Sequence, residues 1–230
     1  MPTFVVRVWL PDRPGALGQV ASRIGAARGD VIGIDILERG AGRAIDELVV
    51  ELPDDDLVGL LLSEIAQVDG VDIESISPVA EALHDPRLDA LETAARLVGA
   101  SSTDELLDAL CVHGARTVGA EWAVVVDAEE AEVLASTGTP PAPAWLAAFV
   151  AGSRSSAAVA GTDYGPDDVV WAPLPGAGLA LVVGRNGAAF RARERRQAAA
   201  LARIVDTRFR ELAAQAARAV HPAGAGRVSL

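Results

Sequence analysis

The stretch that decides the fold of the N-terminal third of the chain is Leu10-Pro11-Asp12-Arg13-Pro14-Gly15-Ala16-Leu17. An apolar run at residues 4–10 precedes the turn and predicts a strand. Apolar residues at three- and four-residue steps follow it and predict a helix; they are Leu17, Val20, Ala21, Ile24 and Gly25. We therefore expect two prolines and a glycine to turn the chain from a strand into a helix that begins at Pro14.

The turn offers the groups that an amino-acid zwitterion requires. Free backbone N–H groups at a helix start, with the positive end of the helix dipole, suit a carboxylate. Gly15 has no Cβ, so a ligand can approach the backbone closely. The carboxylate of Asp12 suits an ammonium group. The alternative is that Asp12 is only the N-cap of the helix, an ordinary use of aspartate.

The same residues resemble the ACT domain. The resemblance consists of Asp-Arg-Pro-Gly-Ala-Leu at 12–17 after a hydrophobic strand, then Ile24, then Gly-Asp-Val-Ile-Gly-Ile at 29–34. It implies a ferredoxin-like βαββαβ fold over residues 1–80 that binds amino acids and regulates metabolism. The patterns that follow agree with that order. They predict strands at 31–38, 44–52 and 71–77, with a helix after Asp54 and a bulge or early end where alternation breaks near Ser75.

The resemblance also implies a binding site. Asp12 would hold the ammonium group, and N–H groups of Gly15, Ala16 and Leu17 would hold the carboxylate. Arg13 and Pro14 would shape the turn. The side chain of the ligand would lie against the second strand, at Val31, Ile32, Gly33 and Ile34. Family members that bind a polar amino acid often carry an amide at the position of Val31, so an apolar residue there favours an aliphatic ligand.

The second region, residues 86–215, resembles a GAF domain, an α/β fold with an antiparallel sheet. The matching features are two leading helices, a hairpin at 167–184 and a closing helix that begins at Phe190. GAF domains bind small molecules or dimerise through flanking helices, and both alternatives stay open. The chain has no lysine, so the Asn-Lys…Glu pattern of cyclic-nucleotide-binding members is absent.

Local patterns make further predictions for this region. Ser102 to Glu105 form a capping box, and the preceding helix, from Pro86 to Val98, carries the apolar residues Leu88, Leu91, Ala95 and Val98. We expect a strand at 156–160. Residues 81–85 are predicted to be a connector, and residues 216–230 a disordered tail.

Composition excludes several classes of function. A net charge of −12 argues against binding to a nucleic-acid backbone. Cys111 is the single cysteine, which excludes an internal disulfide and a cysteine cluster for zinc, and fits a cytoplasmic protein. No apolar run reaches the ~20 residues of a membrane helix. We predict no cofactor and no metal, since no nucleophile, acid–base pair or metal cluster stands out in the sequence.

The sequence therefore predicts a non-catalytic amino-acid sensor, with the ligand at the turn and at a dimer interface. In a ferredoxin-like sheet the second strand is an edge, and an apolar edge such as residues 31–36 requires cover, so we expect a homodimer. The alternative is an interaction module that dimerises and regulates a partner enzyme or regulator without a ligand. An enzyme is the third and weakest hypothesis.

Overall fold

A computed structural model of the chain describes residues 1–79, 86–160 and 166–220. It shows a mixed α+β protein with two four-stranded antiparallel sheets. The chain divides into two compact units, residues 1–85 with 191–193, and residues 86–190 with 194–230. Among the described residues, no helix is long and apolar enough to cross a membrane.

The first unit has the predicted order βαββαβ. Its elements are β1 (Thr3–Pro11), α1 (Ala16–Ala26), β2 (Asp30–Gly40), β3 (Arg43–Glu51), α2 (Val58–Ile65, after a 3₁₀ turn at Asp55–Leu57) and β4 (Asp72–Val79). The sheet order is β2-β3-β1-β4, so the prediction that β2 is an edge strand is confirmed. The predicted bulge in β4 is also confirmed, because the β1–β4 register shifts between Arg7 and Val8.

The core of this unit lies between one face of the sheet and the two helices. Alternate residues of β1 and β3 point to it, as period-two burial requires. They pack with residues of α1 and α2 into one buried cluster, which includes Phe4, Val6, Val8, Leu10, Ala44, Leu48, Val50, Val20, Ile24, Leu61 and Ile65. This alternation places residue 46 of β3 on the same core-facing side as Ala44 and Leu48.

The second unit begins with helices and continues as two hairpins joined by a long helix. Its elements are α3 (Pro86–Gly99), α4 (Thr103–Ala109), a π turn (Leu110–Gly114), α5 (Ala115–Thr117), β5 (Trp122–Asp127), β6 (Glu132–Thr137), α6 (Pro143–Ala160), β7 (Val169–Leu174), β8 (Leu179–Gly184) and α7 (Ala192–Val220). The sheet order is β6-β5-β8-β7. The capping box is confirmed in part: Ser102 Oγ accepts a hydrogen bond from the N–H of Glu105 at 3.2 Å, whereas the carboxylate of Glu105 accepts one from the N–H of Ser101 at 2.8 Å.

Two predictions for the second unit are wrong. Residues 156–160 are the end of α6 rather than a strand, and residues 216–220 continue α7 rather than forming a tail. An apolar stripe of α3 is exposed, with Leu88, Leu91 and Val98 at 52%, 69% and 58%. The buried side of α3 instead carries Thr93 and Leu97. The predicted connector at 81–85 and the last ten residues, 221–230, lie outside the described residues.

Candidate functional site

The turn between β1 and α1 has a backbone that leaves the helix start open. Gly15 has a φ of 86°, in the left-handed region, and is the N-cap of α1 without a side-chain cap. A Cβ at this position would meet no atom within 4 Å, so glycine is favoured here by the backbone angle rather than by crowding. Because Gly15 is not helical, α1 begins at Ala16 and not at Pro14. The alternative that Asp12 caps the helix is wrong.

The first turn of α1 retains unused hydrogen-bond donors. Ala16 N–H donates to the carbonyl of Arg13 at 3.3 Å, and Gln19 N–H donates to the carbonyl of Gly15 at 3.0 Å. Within the part of the chain that the structure describes, the N–H groups of Leu17 and Gly18 have no backbone acceptor. Open donors at a helix N-terminus favour an anionic group, through hydrogen bonds and through the helix dipole.

Asp12 lies in the turn that precedes α1, and its carboxylate is accessible. Its N–H donates to the carbonyl of Gly42 at 2.9 Å, which joins this turn to the turn between β2 and β3. Its side chain is 41% exposed, and one carboxylate oxygen is 3.9 Å from Nε of Arg39, whose side chain is 59% exposed. An ion pair this long and this exposed contributes little to stability. A ligand ammonium can therefore replace the guanidinium of Arg39 at small cost.

A second carboxylate, Asp46 of β3, was not predicted from the sequence. Its residue is only 3% exposed, and its Oδ1 has no hydrogen-bond partner among the described residues. Burial raises the pKa of this carboxyl, the guanidinium of Arg39 lowers it, and the charge of Asp12 raises it. The signal in the sequence is the alternation of β3, which puts an acid in phase with buried Ala44 and Leu48.

The predicted residues of β2 do not lie at the turn within one chain. Across the sheet, Leu10 pairs with Ala44, and Ala44 pairs with Arg39. The end of β2 is therefore level with the turn. By contrast, the stretch 31–34 pairs with residues 48–50 of β3, about 13 to 20 Å further along the strands. Residues 12–17 thus lie together at the turn because they are consecutive in sequence. Residues 31–34 lie elsewhere on the sheet of the same chain.

Residues 31–34 lie on the edge strand and are largely accessible. Ile32 and Ile34 are 44% and 42% exposed. Val31 is partly buried against the core of the unit. Gly33 lies beside Val49, and a Cβ at position 33 would be 3.1 Å from Cγ2 of Val49. An apolar ligand side chain or a second strand therefore finds an uncovered apolar edge here.

Cys111 and His113 are the cysteine and the histidine of the second unit that the structure describes. Cys111 is buried, and burial raises the pKa of its thiol to about 12, which keeps it protonated and unreactive at neutral pH. His113 has its pKa lowered by burial and by the charges of Arg96 and Arg116. No group of three or more His, Cys, Asp or Glu residues is placed to bind a metal within residues 1–79, 86–160 and 166–220.

Comparison with known proteins gives one family match. The model of the ACT domain matches residues 4–70. No curated protein matches the chain.

Solved structures with similarity include the ACT domain from a GTP pyrophosphokinase of Chlorobium tepidum, at 16% identity over 34% of this chain and 100% of that one, with a TM-score of 0.28. A formyltetrahydrofolate deformylase from Pseudomonas putida is 17% identical over 42% of this chain and 38% of its own, with a TM-score of 0.26. An unknown protein from Galdieria sulphuraria is 16% identical over 90% of this chain and 93% of its own, with a TM-score of 0.32. TM-scores this low do not establish a common fold. Residues 4–70 are identified as an ACT domain by the family model, in agreement with the prediction from the turn.

Proposed function

We propose that the N-terminal unit is a non-catalytic sensor that binds a free amino acid at the turn between β1 and α1. ACT domains are in general regulatory, ligand-binding modules. The observation that carries the proposal is the open start of α1, where the N–H groups of Leu17 and Gly18 have no backbone acceptor and the preceding turn carries the accessible carboxylate of Asp12. Donors and a carboxylate a few residues apart complement the two charges of a zwitterion.

The position of the β2 residues supports a site that a second copy completes. Within one chain, residues 31–34 lie at the opposite end of the sheet from the turn. In a two-fold dimer formed along the β2 edges, the strand of one protomer would run towards the turn of its partner. The ligand side chain would then contact Val31 and Ile34, which favours an aliphatic amino acid.

The test is a thermal-shift screen of the standard amino acids against the wild type, Asp12→Ala and Asp55→Asn. A ligand that binds only the folded state, at ~100 times its dissociation constant, stabilises that state by about 2.7 kcal/mol. Asp12→Ala should lose most of that gain, because the ammonium loses a charge-assisted hydrogen bond. Asp55→Asn is the matched control, since it removes a charge at the exposed 3₁₀ turn before α2 and should retain the gain.

The unliganded proteins provide a second comparison. Because Asp12 makes only an exposed ion pair and does not cap α1, Asp12→Ala should melt within a few degrees of the wild type when no ligand is present. If no amino acid raises the melting temperature of the wild type, the sensor proposal is wrong.

The alternative function is an interaction module that regulates a partner enzyme or regulator without a ligand. The specific observation in its favour is the exposed stripe on α3, where Leu88, Leu91 and Val98 lie at helical spacing on one side. The interpretation of residues 86–215 as a GAF-like domain belongs with this alternative, because flanking helices of such domains serve in dimerisation. Dimerisation that is lost on Leu91→Lys, with no response to any amino acid, would favour the module over the sensor.

A further inference from the structure

We infer that the carboxylate of Asp46 binds the ammonium group of the ligand together with Asp12, so that the site takes amino acids and other primary amines but rejects their N-acylated forms. The inference rests on the proposed function, since it takes the β1–α1 turn as the ligand site. It adds a residue from β3, and it specifies which end of the ligand decides recognition.

Asp46 lies in an apolar layer of the first unit. It lies on the face of β3 that packs against the helices, between Ala44 and Leu48, both of which belong to the buried cluster. Its neighbours across the sheet are Val8 on β1 and Ile36 on β2, and neither has a polar side-chain atom. These two cross-strand neighbours therefore give its carboxylate no hydrogen bond.

Oδ1 of Asp46 is fully buried and has no hydrogen-bond partner among the described residues, while the residue as a whole is 3% exposed. Buried polar groups are almost always hydrogen-bonded, so an exception requires a reason beyond the packing of the core. A role of this carboxylate in binding the cationic group of a ligand is such a reason.

The register of the sheet places Asp46 near the turn, because Asp46 is two residues along β3 from Ala44, which pairs with Leu10 and with Arg39. Apart from burial, the pKa of Asp46 responds to the guanidinium of Arg39, which lowers it, and to the carboxylate of Asp12, which raises it. Arg39 also lies 3.9 Å from Asp12, so the two acids share one nearby cation. The first seven residues of α1, which follow the turn, contain no ionisable side chain.

An ammonium group satisfies both acids better than Arg39 does. It brings three N–H donors on one atom, whereas the Arg39 side chain is 59% exposed and makes only a long contact with Asp12. In the inferred complex the ammonium group of an aliphatic amine or amino acid contacts both carboxylates, and the carboxylate of an amino acid faces the open donors of α1. An N-acetyl group removes the charge and two of the three donors.

The experiment compares the wild-type chain, Asp46→Asn and Glu51→Gln. Glu51→Gln is the matched control, because it neutralises an acid at the far end of the same strand. The probes are the standard L-amino acids, isobutylamine and N-acetyl-L-valine, with dissociation constants from calorimetry and melting temperatures without ligand. We expect Asp46→Asn to weaken the binding of an amino acid by about tenfold or more, the control to bind normally, and N-acetyl-L-valine not to bind.

The unliganded melting temperature separates a ligand role from a structural one. Asparagine has nearly the same shape, so replacing an unpaired buried carboxylate should leave the melting temperature unchanged or raise it. A fall in melting temperature with unchanged affinity would make Asp46 a structural residue and overturn the inference. If the variant does not fold, ¹³C NMR of the wild type decides: the Asp46 carboxyl signal must move with an amino acid and stay fixed with N-acetyl-L-valine.

The outcomes distinguish this inference from the proposed function. Equal affinity of Asp46→Asn and the wild type for an amino acid would refute the role of Asp46 and leave the sensor proposal standing. Binding of isobutylamine that depends on Asp46, with no response to any amino acid, would refute the amino-acid proposal and leave the amine site standing. If no probe binds the wild type, both are wrong.

Discussion

At the scale of single residues, Asp46 should make the stability of the N-terminal unit fall as the pH rises. Burial raises the pKa of this carboxyl above the ordinary value of 3.8, so the folded state holds its proton more tightly than the unfolded state. Between the unfolded and folded pKa the folded state binds more protons, and its free energy of unfolding decreases with pH. Most carboxylates in ion pairs have the opposite effect.

This prediction is measured as melting temperature from about pH 4 to about pH 7 for the wild type and Asp46→Asn. The advantage of Asp46→Asn over the wild type should be smallest at the acidic end and should grow as Asp46 ionises. Asp55→Asn, at the exposed 3₁₀ turn, corrects for the loss of one acid from the whole chain. Parallel curves for the wild type and Asp46→Asn would show that Asp46 titrates normally.

Some residues of the site were predictable and others were not. The turn was predictable because prolines and glycine restrict the backbone strongly. The start of α1 was misplaced by two residues because Pro14 suits a helix start, whereas only coordinates reveal the left-handed angle of Gly15. Asp46 is in phase with Ala44 and Leu48, which are buried. Ile45 between them is also apolar and buried, so the alternation of β3 is imperfect and does not single out Asp46 in the sequence.

At the scale of elements, the buried ion pair between β8 and α7 should be a principal support of the second unit. Arg185 donates to both carboxylate oxygens of Glu194, at 2.8 and 2.9 Å, and the two side chains are 8% and 9% exposed. The guanidinium also donates to the carbonyls of Ala188 and Ala189. Removing one partner leaves the other charge buried without its counterion.

We therefore expect Glu194→Gln to lower the free energy of unfolding by about 3 kcal/mol. Chemical denaturation followed by tryptophan fluorescence measures this, because Trp122 lies in the core of the same unit. Glu211→Gln, on the same helix, breaks an exposed ion pair with Arg208 and should leave the transition nearly unchanged. Similar small effects of both substitutions would mean that the carbonyl contacts alone hold Arg185.

Two helices of the second unit show what the spacing of apolar residues cannot predict from the sequence. In α3 apolar residues occur on more than one side, so their spacing does not identify the buried side. The structure buries Leu97 and Thr93, and the hydroxyl of Thr93 is hydrogen-bonded to that of Thr117 at 2.9 Å. Residues 156–160 form a short apolar run, which does not distinguish a strand from a helix, and their alanine content favours the helix that forms.

At the scale of the whole molecule, we expect two copies to associate through the β2 edge. Ile34 and Ile36 are 42% and 41% exposed on this strand, and an uncovered apolar edge pairs readily with another strand. Ile34→Lys places a charge on that edge and should convert a dimer into a monomer, measured by light scattering on a sizing column. Leu60→Lys is the control, because Leu60 is also 42% exposed but lies on α2.

Two results would contradict a dimer formed through the β2 edge. A monomeric wild type at micromolar concentration would contradict the dimer directly. A dimer that survives Ile34→Lys but is lost on Leu91→Lys would place the interface on α3.

The two register shifts in β2 have a consequence for the geometry of such a dimer. They fall between Val31 and Gly33 and between Ile36 and Glu38, where the strand carries an extra residue opposite β3. Bulges bend a strand and interrupt its ladder, so the straight part of the edge is the tetrapeptide Gly33–Ile36. A two-fold axis normal to the sheet sets one residue directly opposite its own copy, so an axis near the middle of that tetrapeptide would be level with Asp35. Substituting Asp35→Cys would then bring two thiols close enough for oxidation to link the protomers covalently.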